Sequence, residues 1–336
     1  MQGKLLAAAL IAIFPLAASA QSSVTVYGVA DAAIAAEDTG APDGSRTVLN
    51  SGNQSSSRLG FRGTEDLGGG LKAMFNLEAG VALDSGAADS ALFGRRAVVG
   101  LEGAFGQLTL GREYSPIADI ANATDINGQG FYGSNLSAFV SGRLTRRLSN
   151  SVNYKSPSLG GFKFNAAHSA GETQTGASQD LTGVSATYVL GNLFAGIGYH
   201  VAERAVSGDD KEMIVGLGYK MGAVELKANY LTANPTGNNN KFEQLNVGAS
   251  YAFGASKVLA NVQRNELENG AKGNGFNVAY TYSLSKRTNV YANYARLSNN
   301  ATGVFGLVAA STNVTPPSTA RGADPSALSL GVRHSF

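Results

Sequence analysis

The chain is 336 residues long, sets 26 Lys and Arg against 24 Asp and Glu for a net charge of +2, and contains no cysteine. That balance supplies no basic surface for nucleic acid, and the missing thiols exclude a disulfide framework, thiol chemistry and a cysteine-based metal site. Mean hydropathy is near zero, which fits a soluble protein and fits equally a wall with one apolar and one wet face.

The first residues, MQGKLLAAALIAIFPLAASA, hold one basic residue (Lys4), an apolar run from Leu5 to Leu16 and the small triplet Ala18-Ser19-Ala20. This is the layout of a secretory signal cleaved before Gln21. Residues 1–20 are thus expected to be removed and residues 21–336 to form a single domain. The apolar run is too short to cross a bilayer, and no other run of about 20 apolar residues follows it. Any membrane crossing must therefore use strands.

From Val24 onward, sixteen stretches of about ten residues alternate apolar with small or polar side chains, the period-two signature of strands with two different faces. Met213, Val215, Leu217 and Tyr219 interleave with Ile214, Gly216 and Gly218. Val224, Leu226, Ala228 and Tyr230 interleave with Glu225, Lys227 and Asn229, a set that cannot lie in lipid. A soluble sandwich could show the same alternation, and the connections decide between the two. Short ones fall at Asp66–Gly70, Gly103–Gly106, Ser156–Gly161, Leu190–Asn192, Lys220–Gly222, Phe253–Ala255 and Ser283–Lys286. They alternate with long polar ones such as Glu37–Ser57, Glu113–Arg146 and Asn299–Ser326. Sorting loops by length onto two ends is the mark of a closed, sixteen-stranded antiparallel transmembrane β-barrel, with short periplasmic turns and long external loops. Strands running into the short turns end in Tyr188, Tyr219, Tyr251, Phe253, Tyr280, Tyr282 and Phe336 on the lipid parity, as an aromatic girdle requires.

Parity also assigns the inner face. Arg58 and Arg62 alternate with outward Leu59 and Phe61, and Arg147 shares an inward face with Ser149, Ser151, Asn153 and Lys155. In the Arg95-Arg96 pair, outward Ala97, Val99 and Leu101 favour Arg96 as the inward residue. Lys72, Lys163, Lys227, Lys257 and Arg333 add to the basic side, against Asp31, Glu78, Glu102, Glu212 and Glu225. Basic rings lower the barrier for anions, and a narrow low-dielectric channel magnifies a small imbalance. The histidines are scattered: His168 and His334 fall on the lipid parity and His200 on the inner one, without metal-site or catalytic spacing. No cofactor or metal is expected.

The segments QSSVTVYGVADAAI (from Gln21), SSRLGFRGTEDLGGGLKAMFNLEAG (from Ser56), FGRRAVVGLEGAFGQLTLGRE (from Phe93), NSVNYKSPSLGGF (from Asn150) and LGVRHSF (from Leu330) carry a likeness that runs over the whole mature chain. The chain resembles the trimeric general porins of Gram-negative outer membranes, in particular the betaproteobacterial type. That resemblance implies an inward-folded third loop, here Glu113 to about Arg146, which makes Asp119 and Asp125 candidates for the acidic side of a constriction. Arg58, Arg62, Arg147 and one of Arg95 and Arg96 would form the opposing basic wall, the resemblance pointing to Arg95. It implies that Phe336 is a signal for the barrel-assembly machinery. It also implies a homotrimer joined at the wall of small outward residues Ala30, Ala32 and Ile34, set in outer-membrane lipid and lipopolysaccharide.

The function expected is passive diffusion of small hydrophilic solutes and ions through a water-filled channel, with a preference for anions and no catalysis. An alternative is a substrate-selective channel of the same fold, for which the inward aromatics, Phe194 and Tyr291, are sparse. An outer-membrane hydrolase would need a histidine beside Ser or Asp at the rim, and His168 lies on the wrong face; an adhesin would show fewer strands or an added domain.

Overall fold

A computed structural model describes residues 23–204, 208–237 and 241–336, so the expected signal segment lies outside the described residues. The strands are β1 (Ser23–Asp38), β2 (Ser45–Ser51), β3 (Arg58–Gly68), β4 (Leu71–Gly80), β5 (Arg96–Gly103), β6 (Gly106–Tyr114), β7 (Arg147–Lys155), β8 (Phe162–Ser169), β9 (Leu181–Leu190) and β10 (Leu193–Glu203). They continue as β11 (Asp209–Met221), β12 (Val224–Asn234), β13 (Phe242–Phe253), β14 (Ser256–Leu267), β15 (Lys272–Ser283), β16 (Thr288–Asn299), β17 (Leu307–Val308), β18 (Asn313–Val314) and β19 (Ser326–Ser335). From β3 to β16 neighbours in sequence pair antiparallel, β16 pairs β19, and β1 pairs β19 from Val29↔Ser335 to Asp38↔Ser326, which closes the sheet on itself.

β2 and β3 are two halves of one barrel stave. Ile34 of β1 faces Leu49 of β2, and Val26 of β1 faces Phe61 of β3. With β17 and β18 forming a separate two-residue ladder, the barrel has sixteen staves. The stretch Glu37–Ser57 is consequently not one long external loop. β1 and β2 run on as a hairpin turning at residues 39–44, and residues 52–57 tuck inward between β2 and β3. Glu37 helps to hold this hairpin, accepting from Arg46 Nε at 2.8 Å and Asn50 Nδ2 at 2.8 Å.

The short turns are hairpins built on residues that tolerate left-handed backbone. In the first, Gly68, Gly69 and Gly70 have φ of 86°, 60° and 80°, a run that side chains would strain. Outward residues such as Val26, Ile34, Val99, Ile197 and Leu217 are exposed, as a lipid-facing belt must be. Tyr219, Tyr251, Phe253, Tyr280, Tyr282 and Phe336 are exposed at the short-turn end, while Tyr188 is half-buried under Phe162 at a centroid distance of 4.3 Å.

The interior is not uniformly wet. Inward Ile214, Leu231, Phe242, Ala295 and Leu297 are buried in one cluster with Ile117 and Ile120 from the long loop after β6 and with Phe305, Leu307 and Val314 from the loop after β16. Loop residues dock on the β10–β16 side, so the open passage runs along the opposite wall, from β3 to β7. Ile214 and its neighbours are inward because they pack on protein, which strand parity could not distinguish from facing water.

Candidate functional site

The long loop between β6 and β7, residues 115–146, is the third external loop. It opens with helix α1 (Pro116–Thr124), where Ser115 caps the N-terminus by accepting from Ala118 N at 3.3 Å and proline starts the first turn. Ile117, Ile120 and Ala121 form its buried face. A 3-10 helix (Asn135–Gly142) follows.

Both ends of the loop meet one pair of wall residues. His200 of β10 and Glu212 of β11 lie 3.0 Å apart and fully buried. Ile117 N donates to His200 Nε2 at 3.4 Å, and Thr145 donates to Glu212 through its N at 2.9 Å and its Oγ1 at 2.8 Å. Ser115 Oγ donates to Thr145 O at 2.7 Å and zips the ends together.

The middle of the loop lies on a row of inward asparagines, one on each of β12 to β16. Asn229 donates to Thr124 O at 2.9 Å and Asn261 to Gly133 O at 2.8 Å, while Asn277 exchanges bonds with Asn127 at 3.1 and 3.2 Å. Asn293 accepts from Tyr132 N at 3.0 Å, and Asn246 sits opposite Asn229 in the ladder. The inward tuck supports the other side: Asp31 accepts from Asn53 N and Ser55 N at 3.3 and 2.8 Å, and Asn53 O accepts from Phe131 N at 2.6 Å.

Asp125 does not face the channel, contrary to expectation. Its carboxylate is fully buried inside the loop and accepts from the backbone N of Asn127, Gln129 and Asn135 at 3.0, 3.1 and 3.1 Å. Burial pushes its pKa up to about 6, against the lowering by those three donors. It shapes the turn after α1, which is why an acid was needed there.

Between α1 and the opposite wall lies a polar gap of about 280 Å³. Ala118, Asp119 and Asn122 line it from the loop, Arg58, Glu78, Arg95 and Tyr114 from the wall, and Ser55, Ser56 and Arg146 close the ring. Arg58 Nε lies 3.4 Å from Glu78, and Arg95 Nε donates to the same carboxylate at 2.7 Å. Asp119 is held by Lys155 Nζ at 2.9 Å. A second polar hollow, about 400 Å³, opens toward the mouth and is lined by Asp84, Asp89, Arg95, Arg146 and Arg147, with Ser311 and Thr312 of the last loop.

Both members of the Arg95-Arg96 pair turn inward, to different places. Arg95 precedes β5, free of strand parity, and reaches the gap; Arg96 lies opposite Glu78 in the ladder and binds Glu113. Arg62 is one step removed, opposite Asn76 on the wall, with its guanidinium 5.1 Å from the ring of Tyr27, and it does not line the gap. Arg147 lies in the upper hollow. Sequence parity missed Arg146, which precedes β7, and Tyr114, which follows a register shift between Gly111 and Glu113 of β6. Burial lowers the Arg146 pKa to about 10, which leaves the guanidinium charged at neutral pH. The asparagine row was open to detection, since Asn recurs in KANY, LNV, LANV, FNV and YANY on five consecutive strands.

The arrangement is a polar passage narrowed by an inward loop, with charged walls. Residues 7–302 match the family model described as Gram-negative porin. The chain belongs to the Gram-negative porin family. The outer membrane porin protein 32 of Delftia acidovorans is 33% identical across 97% of this chain and 99% of its own length. An outer membrane porin protein of Bordetella pertussis is 31% identical across the whole of both chains. Among solved structures, the anion-selective porin from Comamonas acidovorans superposes with a TM-score of 0.85 at 30% identity, covering 94% of this chain and 100% of that one. The trimer form of OmpT from Vibrio cholerae, 16% identical with a TM-score of 0.72 over 94% of this chain and 99% of that one, shows the fold alone. This porin is therefore an outer-membrane β-barrel that admits solutes by passive diffusion.

Proposed function

We propose that this porin prefers anions and that Arg58, Arg95, Arg146 and Arg147 set the preference. The observation that carries the reading is the charge count along the narrow passage. Arg58 and Arg95 share the single carboxylate of Glu78, Arg146 bonds the neutral Gln129 and Arg147 the neutral Tyr114, while Asp119 is held by Lys155. With Asp84 and Asp89 of the upper hollow counted beside Glu78, four guanidiniums stand against three carboxylates and leave one net positive charge along the passage. The similar porin from Comamonas acidovorans is itself described as anion-selective. The channel catalyses nothing on this reading. Its inward tyrosines do not form a solute track, since Tyr27, Tyr132 and Tyr291 spend their hydroxyls on Glu78, Glu37 and Asp31.

The mature protein on this reading starts at Gln21 and assembles as a homotrimer through the β1 and β19 wall, where Ala30, Ala32, Ala36 and Leu330 give a smooth outward surface beside Ile34. Its remaining partners are outer-membrane lipid, lipopolysaccharide, the barrel-assembly machinery and small hydrophilic solutes. Planar-bilayer recording in a salt gradient tests the anion preference. Each fixed charge at a few ångströms is worth on the order of 1 kcal/mol to a passing ion in a watery pore, and about 1.4 kcal/mol is tenfold in occupancy. Replacing Arg58 and Arg147 by Ser moves the reversal potential clearly toward cations, less so as salt rises. An unchanged potential at low salt would remove these residues from the selectivity mechanism.

A further inference from the structure

Tyr114 stands at the end of β6, between two arginines that begin or precede the neighbouring strands. Its hydroxyl accepts from Arg95 at 3.1 Å and from Arg147 at 2.9 Å. The guanidiniums of Arg147 and Arg146 lie 4.7 and 5.8 Å from its ring centroid, so three cations converge on one neutral side chain. A guanidinium in a protein ordinarily takes a carboxylate as its acceptor, which orients the cation and also cancels its charge. A phenol oxygen orients without cancelling, and an aromatic face attracts cations through its quadrupole with no net charge.

Arg95 already pairs with Glu78 at 2.7 Å, and further carboxylates border the hollow that holds Arg146 and Arg147. Asp84 and Asp89 line the same hollow as Arg95, Arg146 and Arg147, and Glu113 is the residue before Tyr114. Glu113 is occupied by Arg96 and by the backbone N of Tyr114. Asp84 and Asp89 are the remaining acids of the hollow. The Nε of Arg146 and of Arg147 are buried without a partner, so neither guanidinium is saturated where it stands.

We propose that Tyr114 is a specificity-determining positioning residue: its hydroxyl and ring hold Arg95 and Arg147 in the passage, with Arg146 alongside, and keep them from collapsing onto Asp84 and Asp89. The proposal rests on the anion-preferring reading above and adds to it a residue that carries no charge. A tyrosine that merely packs would be replaced by phenylalanine without consequence, because the ring and its volume are kept.

The test is the reversal potential of purified protein in planar bilayers, at low salt and neutral pH, for wild type, Tyr114→Phe, Asp84→Asn/Asp89→Asn, and the triple variant. Heat-modifiable gel mobility confirms that each variant is a folded barrel. Loss of one charge-assisted acceptor shared by two arginines is expected to lower the anion-to-cation permeability ratio by about threefold in Tyr114→Phe. The same substitution changes little once Asp84 and Asp89 are neutral, because the arginines then have no acid to collapse onto. A Tyr114→Phe channel as selective as wild type overturns the proposal, and so does an equal fall in the background lacking both acids. Absence of anion preference in wild type instead overturns the reading of the arginines. A preference lost in Arg58→Ser/Arg147→Ser but kept in Tyr114→Phe overturns the role of Tyr114 alone.

Discussion

Nδ1 of His200 lies 3.0 Å from Oε2 of Glu212, and through this one pair the barrel wall fastens both ends of the loop that narrows its channel. The two residues sit opposite each other on β10 and β11, buried to 0% and 1% exposure, so neither is hydrated. Each has its polar atoms committed: His200 takes the first turn of α1, and Glu212 takes the far end of the loop at Thr145.

Replacing Glu212 by Ala should therefore loosen the narrow passage without unmaking the barrel. It leaves the N and Oγ1 of Thr145 and the His200 ring without their acceptor, at about 1–3 kcal/mol for each buried group left unpaired, while the ladders of β10 and β11 persist. The expected single-channel record shows higher and noisier conductance and closure at lower voltage. Conductance and noise indistinguishable from wild type would mean that the loop's other anchors, the asparagine row and the apolar docking among them, hold it without this pair.

Asp125 should make the folded loop less stable as pH rises. Its pKa of about 6 in the folded protein exceeds the ordinary aspartate value, so the folded state binds the proton more tightly than the unfolded chain. The stabilisation is complete below about pH 4 and is lost as pH climbs through about 6, amounting to at most about 3 kcal/mol. Asp125→Asn cannot titrate and loses Oδ2, the acceptor for Gln129 N and Asn135 N. In detergent, the margin by which wild type melts above this variant should shrink between pH 4 and 7 and hold steady beyond. A margin that widens over that range contradicts the assignment.

Removal of Phe336 should impair assembly more than export. Its backbone exchanges bonds with Gly28 at 3.0 and 3.1 Å, and its ring covers that glycine so closely that a Cβ there would lie 2.4 Å from it. Deleting the residue uncovers Gly28 at the seam where β1 meets β19. The amount of heat-modifiable trimer in outer membranes should fall while the exported amount stays the same. Trimer at wild-type levels would rule out an assembly role for this residue.

Sidedness was legible in the sequence because it is local. Period two places Val26, Ile197 and Leu217 on one face whatever the rest of the chain does, and the sorting of short and long connections distinguishes a membrane barrel from a sandwich. The inward aim of Arg58, Arg62 and Arg96 followed from the same rule. Arg147 does not share a face with Ser149 and Ser151 by simple alternation: the β6–β7 register shifts between Arg147 and Ser151, Asn150 takes a φ of 51°, and Leu148 is buried while Ser149 is exposed. Parity fails where a strand ends or slips register: Arg95 and Arg146 lie just outside β5 and β7, and Tyr114 follows the register shift between Gly111 and Glu113.

Height and cross-section were decided only by tertiary structure. Arg62 and Arg58 share a face, yet the passage is narrow at one and not at the other, because α1 comes to rest beside Arg58. Asp119 and Asp125 belong to one loop, and helix geometry and a tight turn send the first toward Lys155 and the second into the loop interior. Ile214 reads as a lumen residue and is core, because residues far away in sequence, Ile117 and Leu307 among them, fill the space it faces. A pattern that repeats along a strand fixes which way a side chain points; what stands in front of it depends on contacts between segments far apart in the chain, which no local pattern encodes.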